Sequence, residues 1–186
     1  MELTKLHLGC GERYLDGYIH IDINPFEHID YIASIDNLNM FEDSSIDEIY
    51  ASHVIEYFDV VEINHVLKEW SRVLKPGGTL RLAVPDFDSL AEIYKRTKKI
   101  NNIIGPIVGR WELITGEVIY HKQIFDFSYL SDVLSNAGFE YIDKWDWKDF
   151  ILEHPDYDDH AQAYFPNMDK DNGMLLSLNV ICKKSS

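Results

Sequence analysis

Apolar and polar positions in the first half of the chain switch between strand-like and helix-like spacing. Short apolar or alternating runs predict strands at residues 5–8, 18–22, 29–35, 46–51 and 79–84. Helical spacing of apolar residues over 63–74 predicts a helix that ends at the Lys-Pro-Gly-Gly turn, and a second helix is predicted over 86–99. This alternation is typical of a parallel, doubly wound sheet.

The second half follows a different pattern. Residues 100–127 contain several glycines without clear periodicity, and they predict a small cap over the carboxyl edge of the sheet. A helix is predicted over 130–137, strands over 139–145 and 174–182, and a polar, turn-rich loop over 147–173. The two closing strands can pair antiparallel. The predicted fold is therefore α/β: a Rossmann-like, doubly wound, mixed seven-stranded sheet with its last strand antiparallel and helices on both faces.

Composition excludes several classes of partner. The 186 residues include 17 Lys and Arg against 32 Asp and Glu, a formal net charge of −15, which disfavours nucleic acid and anionic membranes. No apolar run approaches the roughly 20 residues that span a bilayer. Residues 1–5 lack the pattern of a signal peptide. Cys10 and Cys182 are predicted to be reduced thiols without metal-ligand spacing, so we expect a cytoplasmic protein with no metal site.

A glycine turn follows the first strand, and an acid ends the second. The turn is Leu8-Gly-Cys-Gly11, and Asp22 stands where a carboxylate can accept both hydroxyls of a ribose. A dinucleotide site would have a third glycine where this chain has Tyr14, and its acid would come about 20 residues on. Here the acid comes 11 residues after Gly11. The spacing favours a nucleoside without phosphates, such as S-adenosylmethionine.

Four stretches carry a family resemblance: Lys5-Leu-His-Leu-Gly-Cys-Gly11, Gly17-Tyr-Ile-His-Ile-Asp22, Ser45-Ile-Asp-Glu-Ile-Tyr-Ala-Ser-His53-Val-Ile-Glu56 and Val73-Leu-Lys-Pro-Gly-Gly78. They resemble class I S-adenosylmethionine-dependent methyltransferases, type 11 group, and are similar to small methyltransferases associated with surface polysaccharide biosynthesis. The resemblance implies one methyltransferase domain over 1–186, with a cofactor-binding half (1–99), the cap segment (100–127) and a C-terminal substrate-side half (128–186). The implied cofactor-binding residues are Gly9, Cys10, Gly11, Asp22, Ile23, Ser34, Ile35 and His53.

Two positions depart from the resemblance. Many such enzymes carry an acid two residues before the first glycine, where it contacts the methionine ammonium, and this chain has His7. The position of the acid that commonly accepts from the adenine amino group holds Ser34, with Asp36 close by as a substitute. These departures leave open whether the cofactor binds weakly or through other residues.

Three residues are candidates for chemistry at the acceptor. His121, in the cap, is either a general base or a surface histidine, since its unperturbed pKa lies near the working range. His160, beside Asp158 and Asp159, is the rival base. Asp86 either orients a hydroxyl or caps a helix, and Glu56 is expected to begin a helix rather than to take part in chemistry.

The acceptor is predicted to be a small molecule, such as a hydroxyl of a sugar or glycan precursor, with the reacting atom and the oligomeric state left open. Aromatic residues are dense in the back half, and some can stack on a sugar ring. The alternative is a non-catalytic module that binds S-adenosylmethionine or a partner. A third hypothesis, a nicotinamide oxidoreductase, depends only on the spacing of Tyr94 and Lys98.

Overall fold

The computed structural model describes residues 3–186. In chain order the strands are β1 (Lys5–Leu8), β2 (Ile19–Asp22), β3 (Tyr31–Ile32), β4 (Ile46–Ser52), β5 (Leu74–Pro85), β6 (Trp111–Glu112), β7 (Val118–Ile119), β8 (Phe139–Lys144), β9 (Tyr164–Phe165), β10 (Met174–Leu175) and β11 (Ser177–Lys184). The α-helices are α1 (Glu62–Val73), α2 (Phe87–Thr97), α3 (Ile104–Val108), α4 (Phe127–Asn136) and α5 (Trp147–Glu153). Met1 and Glu2, part of the segment on which the signal-peptide prediction rests, lie outside the described residues.

Seven of these strands form one sheet, in the order β3-β2-β1-β4-β5-β11-β8. Neighbouring strands from β3 to β5 run parallel, whereas β11 is antiparallel to both β5 and β8. The predicted mixed, doubly wound α/β fold with an antiparallel last strand is therefore confirmed. Because β1 and β4 are neighbours while the chain passes through β2 and β3 between them, the strand order reverses at β1, where ligands bind in such sheets.

Strand alternation divides β1 between two layers. Leu6 and Leu8 pack into the main apolar core, to which α1 contributes Trp70. His7 lies between them in sequence and therefore points to the opposite face, where its ring contacts Tyr50 and Tyr157. Leu6 and Leu8 thus face the main apolar core, whereas His7 faces a smaller aromatic cluster on the opposite side of the sheet.

The aromatic cluster is completed by helix α5, which lies within the predicted loop 147–173. The loop prediction was wrong here. The Asp146 carboxylate caps this helix by accepting from the Lys148 N–H at 2.9 Å, and Phe150 stacks on Tyr50 at 4.6 Å between ring centroids. The helix has seven residues, which is about two turns. Its apolar pattern therefore repeats too few times to be distinguished from the polar sequence around it.

Two strand boundaries also differ from the prediction. Strand β3 is limited to Tyr31–Ile32 at the edge of the sheet, where both side chains are exposed. Strand β5 begins at Leu74 rather than at residue 79, because residues 75–78 bulge away from β4 while pairing continues on either side. The Lys75 ammonium donates to the Asp47 carboxylate at 2.7 Å, which holds this bulge against β4.

Residues 100–127, the predicted cap, contain α3 and the β6–β7 hairpin. Two hydrogen bonds connect this segment to residues that follow β2 and β4. The Ile114 N–H donates to Asn24 Oδ1 at 3.0 Å, and the Lys122 N–H donates to the Glu56 carbonyl at 2.7 Å. Within residues 3–186, no helix is both long enough and apolar enough to cross a bilayer.

Candidate functional site

A cavity of about 510 Å³ opens at the carboxyl ends of β1, β2 and β4. The segments around β1 and β2 form one side of it, and residues 111–121 and 157–161 form the others. Ten of the sequence-predicted site residues line it: Gly9, Cys10, Gly11, Asp22, Ile23, Ser34, Ile35, His53, His121 and His160. Asp86 lies outside this set. Its carboxylate caps α2 by accepting from the Asp88 N–H and the Ser89 hydroxyl.

The glycine turn puts two glycines in left-handed backbone conformations for different reasons. Gly9 has φ +63° and packs so closely that a Cβ would lie 2.2 Å from Val54 Cγ1. Gly11 has φ +54°, yet a Cβ there would meet nothing within 4 Å. Gly9 is therefore required for packing, and Gly11 leaves open space beside the cavity.

Residues 9–18, all of them described, contain turns and no helix. The Leu15 N–H donates to His20 Nε2 at 2.8 Å, and the Tyr14 ring stacks on His20 at 4.9 Å. Burial is the largest effect on His20 and lowers its pKa, which suits a neutral ring that accepts this bond. No helix therefore begins within residues 9–18, whereas a pyrophosphate site presents a helix N-terminus at this turn.

Asp22 is a buried, oriented carboxylate, with 6% of its surface exposed. Oδ2 accepts from the Gly11 N–H and Oδ1 from the Asn24 N–H, both at 2.8 Å. Each oxygen keeps a further lone pair for a ligand. The two N–H groups therefore orient the Asp22 carboxylate. The carboxylate in turn fixes the backbone of the glycine turn at Gly11.

On the side of β3, the cavity wall mixes apolar and small polar residues. Ile23 is exposed, and Ile35 is buried with its carbonyl accepting from Trp70 Nε1 at 2.8 Å. Ser34 lines this cavity and also a separate surface groove that contains Asp36. Ser34, rather than Asp36, is the polar side chain available on this wall.

At the end of β4, a carboxylate lies between two histidines. Glu56 has none of its surface exposed; its Oε1 lies 3.2 Å from His53 Nδ1 and 3.8 Å from His121 Nε2. His121 Nδ1 lies 2.8 Å from the Pro106 carbonyl, so the N–H is assigned to Nδ1 and the lone pair of a neutral ring to Nε2. Both histidines line the cavity.

His53 is held in a strained conformation. Its φ is +54°, in the region that non-glycine residues seldom adopt and that is frequent at functional sites. Burial alone would lower the pKa of His53, but the adjacent Glu56 carboxylate, with the charge of Asp159, holds that pKa above its ordinary value. His53 Nε2 lies 2.8 Å from the Ser177 hydroxyl.

The sequence analysis missed the part Glu56 takes in this cluster. Glu56 lies in a short 3-10 turn, Ile55–Tyr57, and its side chain enters the interior instead of facing a helix N-terminus. Its spacing of three residues from His53 was the available signal, but that spacing is common on exposed helix faces. Its partner His121 comes from the cap, 65 residues away in sequence.

The remaining wall is formed by residues 157–161 together with His7. Asp159 is 3% exposed, and His7 is 2% exposed. His160 is more than half exposed, with Nε2 3.1 Å from the Asp158 carboxylate. Within residues 3–186, no group of three His, Cys, Asp or Glu side chains is placed to hold a metal ion.

Burial raises the pKa of the Cys10 thiol to about 12, with the charge of Asp22 as the next contribution. The thiol is therefore an unreactive part of the cavity wall at neutral pH.

Tyr94 and Lys98, on which the oxidoreductase hypothesis depends, lie outside the cavity lining.

These features fit S-adenosylmethionine. The volume lies within the range of small-molecule sites, Asp22 is directed for a ribose, and the open space at Gly11 admits a ligand close to the backbone. Two buried polar atoms of the wall, His7 Nδ1 and Ser52 Oγ, have no hydrogen-bond partner among the described residues. Polar ligand groups would satisfy them.

Comparison with solved structures confirms the fold. A methyltransferase from Methanosarcina mazei is 18% identical, with 100% of this chain and 94% of that one covered and a TM-score of 0.57. One from Archaeoglobus fulgidus is 16% identical, covers 98% and 86%, and has a TM-score of 0.60. The Burkholderia thailandensis 1,6-didemethyltoxoflavin N1-methyltransferase, solved with its substrate and S-adenosylhomocysteine, is 10% identical, covers 98% and 71%, and has a TM-score of 0.59.

Comparison with curated proteins gives no match. The family described as "Methyltransferase domain" matches residues 6–82, which include the glycine turn, Asp22 and the end of β4. The matched segment builds most of the cofactor wall of the cavity, and together with the solved methyltransferases of the same fold it supports an S-adenosylmethionine-dependent methyltransferase.

Proposed function

We propose that the protein methylates a hydroxyl of a small-molecule acceptor, with a sugar or glycan precursor as the preferred class. The observation that carries this proposal is the buried Glu56 carboxylate between His53 and His121, two histidines that line the same cavity as the glycine turn and Asp22. A hydroxyl must lose its proton when it is methylated, whereas a neutral amine can react before it loses one. A histidine–carboxylate cluster supplies a base.

S-adenosylmethionine supplies the methyl group on a sulfonium, and its departure leaves a neutral thioether. The residues proposed to hold it are Gly9, Cys10, Gly11, Asp22, Ile23, Ser34, Ile35 and His53, all of which line the cavity. The protein therefore has to orient two molecules and remove one proton. Orientation of the two molecules supplies much of the rate.

His121 is the proposed general base. Its Nδ1–H donates to the Pro106 carbonyl, which leaves Nε2 free to accept a proton. His121 Nε2 lies 3.8 Å from Glu56 Oε1. Glu56 is in this proposal a positioning residue, since it acts through the histidine.

His160 is the less favoured base because it is exposed and already paired with Asp158. For Asp86 we propose the role of helix cap alone. Support for a sugar comes from the cap: Trp111 is 56% exposed and lines the cavity, where an indole face can stack on a sugar ring.

The test is transfer of labelled methyl groups from S-adenosylmethionine to a panel of free sugars, nucleoside-diphosphate sugars and amines. We expect labelled hydroxyl products, and His121→Gln should lower kcat by roughly 10²–10⁴-fold. His160→Gln is the matched control and should retain most of the activity. Products methylated only on amines, or a larger loss in His160→Gln than in His121→Gln, would contradict the proposal.

A further inference from the structure

A second carboxylate is buried in the cavity wall, and it has only neutral partners. Asp159 Oδ2 accepts from the Tyr50 hydroxyl at 2.6 Å and from Gln162 Nε2 at 3.3 Å, and Oδ1 accepts from the Ala161 N–H at 3.0 Å. Within residues 3–186, no lysine, arginine or histidine forms an ion pair with it. Because a carboxylate accepts about four hydrogen bonds, Asp159 keeps capacity for another donor.

A buried carboxylate is costly unless a positive charge lies close to it. The nearby candidate is His53, but its Nδ1 lies 3.2 Å from Glu56, which is also buried. His53 is thus the histidine nearest to Glu56, and His121, the second histidine beside Glu56, lies 3.8 Å from it. A cationic group of a ligand would balance the charge of Asp159.

The groups beside Asp159 do not compete for that role. Burial, followed by the charges of His20 and His28, lowers the pKa of His7 well below its ordinary value, so His7 is neutral. The Tyr157 hydroxyl lies 3.4 Å from His7 Nε2, and His7 Nδ1 has no partner among the described residues. His7 is therefore a neutral group in the same wall, and it does not repel a cation.

We propose that Asp159 binds the α-ammonium group of the methyl donor. The ammonium has an N–H donor for the remaining lone pair of Asp159, whereas the sulfonium has a positive charge and no N–H to donate. This inference names a binding residue on a segment outside the matched part of the chain, residues 6–82. It rests on S-adenosylmethionine as the donor in the proposed function, and it does not depend on the acceptor.

The first experiment compares two ligands of the unaltered protein by calorimetry. S-adenosylhomocysteine retains the ammonium, and its desamino analogue carries hydrogen in its place. We expect the analogue to bind roughly ten- to a hundred-fold more weakly, as for the loss of a hydrogen bond between charged groups. Equal affinities would overturn the proposal, and this result does not depend on whether any variant folds.

The second experiment places the effect on Asp159. Asp159→Asn should weaken S-adenosylhomocysteine to a similar extent while changing the affinities of the desamino analogue and of 5′-methylthioadenosine by about twofold or less. Asp158→Asn is the matched control, because Asp158 is half exposed and pairs with Lys170 at 2.8 Å. That control should leave all three affinities unchanged.

The outcomes distinguish a failure of the ammonium assignment from a failure of the methyl-donor assignment. If Asp159→Asn weakened all three ligands equally, Asp159 would act on the shape of the cavity and the ammonium assignment would be overturned. If the unaltered protein bound none of the three ligands, the methyl donor itself would be contradicted, and this inference with it.

Discussion

At the scale of single residues, Gly9 combines a left-handed backbone conformation with close packing around its Cα. An alanine there must adopt φ +63° and place its Cβ 2.2 Å from Val54 Cγ1. Left-handed backbone costs roughly 1–2 kcal/mol and overpacking roughly 1–3 kcal/mol. We therefore expect Gly9→Ala to lower the free energy of unfolding by at least about 2 kcal/mol, as measured by urea denaturation.

Gly11→Ala is the control, because it has a similar φ of +54° and open space around its Cβ. It should cost about 1 kcal/mol, from the backbone alone. Shortening Val54 to alanine should reduce the cost of Gly9→Ala by at least about 1 kcal/mol, since the two side chains would no longer collide. Equal costs for the two glycine variants would mean that the close approach to Val54 does not limit stability.

At the scale of elements, helix α5 contributes to the stability of the fold and also supports the wall of the cavity. Phe150 is 1% exposed and packs in one cluster with Tyr50 and Tyr157, and Tyr157 lines the cavity. Phe150→Ala should cost about 3–5 kcal/mol of unfolding free energy in urea denaturation. It should also weaken S-adenosylhomocysteine in calorimetry, because residues 157–161 would lose their support.

Two substitutions on the same helix check this expectation. Phe150→Leu retains most of the volume and should cost less than Phe150→Ala. Leu152 is 81% exposed, so Leu152→Ala should change stability by no more than about 0.5 kcal/mol. If Leu152→Ala were as damaging as Phe150→Ala, the helix would present its other face to the sheet.

Sequence patterns predict some of these elements and miss others. The succession of strands and helices along residues 5–99 and the turn from Gly9 to Gly11 could be predicted because each rests on neighbours in sequence: alternating β1, the glycines, and Asp22 at the end of β2. Helix α5 is too short for its period to be visible. The contacts of Glu56 and Asp159 could not be predicted from the sequence. Their partners, His121 and Tyr50, lie far away along the chain and come close only when the chain folds.

At the scale of the whole molecule, buried histidines with opposite pKa shifts make stability depend on pH in two windows. Burial is the largest effect on His7 and His20, and it lowers both pKa values. The unfolded chain, with histidine pKa values near 6.5, therefore binds more protons than the folded protein as the pH falls below that value. The stabilisation by the neutral rings is full above pH 6.5 and is lost as the pH falls toward their folded pKa values.

His53 acts in the opposite direction, because Glu56 and Asp159 outweigh its burial and raise its pKa. Its contribution is full below the unfolded pKa near 6.5 and is lost as the pH rises through the higher folded value. Urea denaturation across pH 5–8 should therefore show a maximum, with each histidine contributing a slope of at most about 1.4 kcal/mol per pH unit in its window.

Substitutions should separate the two slopes. His7→Gln should flatten the acid side, because glutamine takes up no proton in either state, and His53→Gln should flatten the alkaline side. Exposed His65→Gln is the control and should leave both slopes unchanged. A loss of the acid slope in His53→Gln, or its persistence at full size in a variant that lacks both His7 and His20, would mean that other groups set the pH dependence. The carboxylates that Lys75 and Arg72 hold at lowered pKa, Asp47 and Glu69, titrate at lower pH and lie outside the measured range.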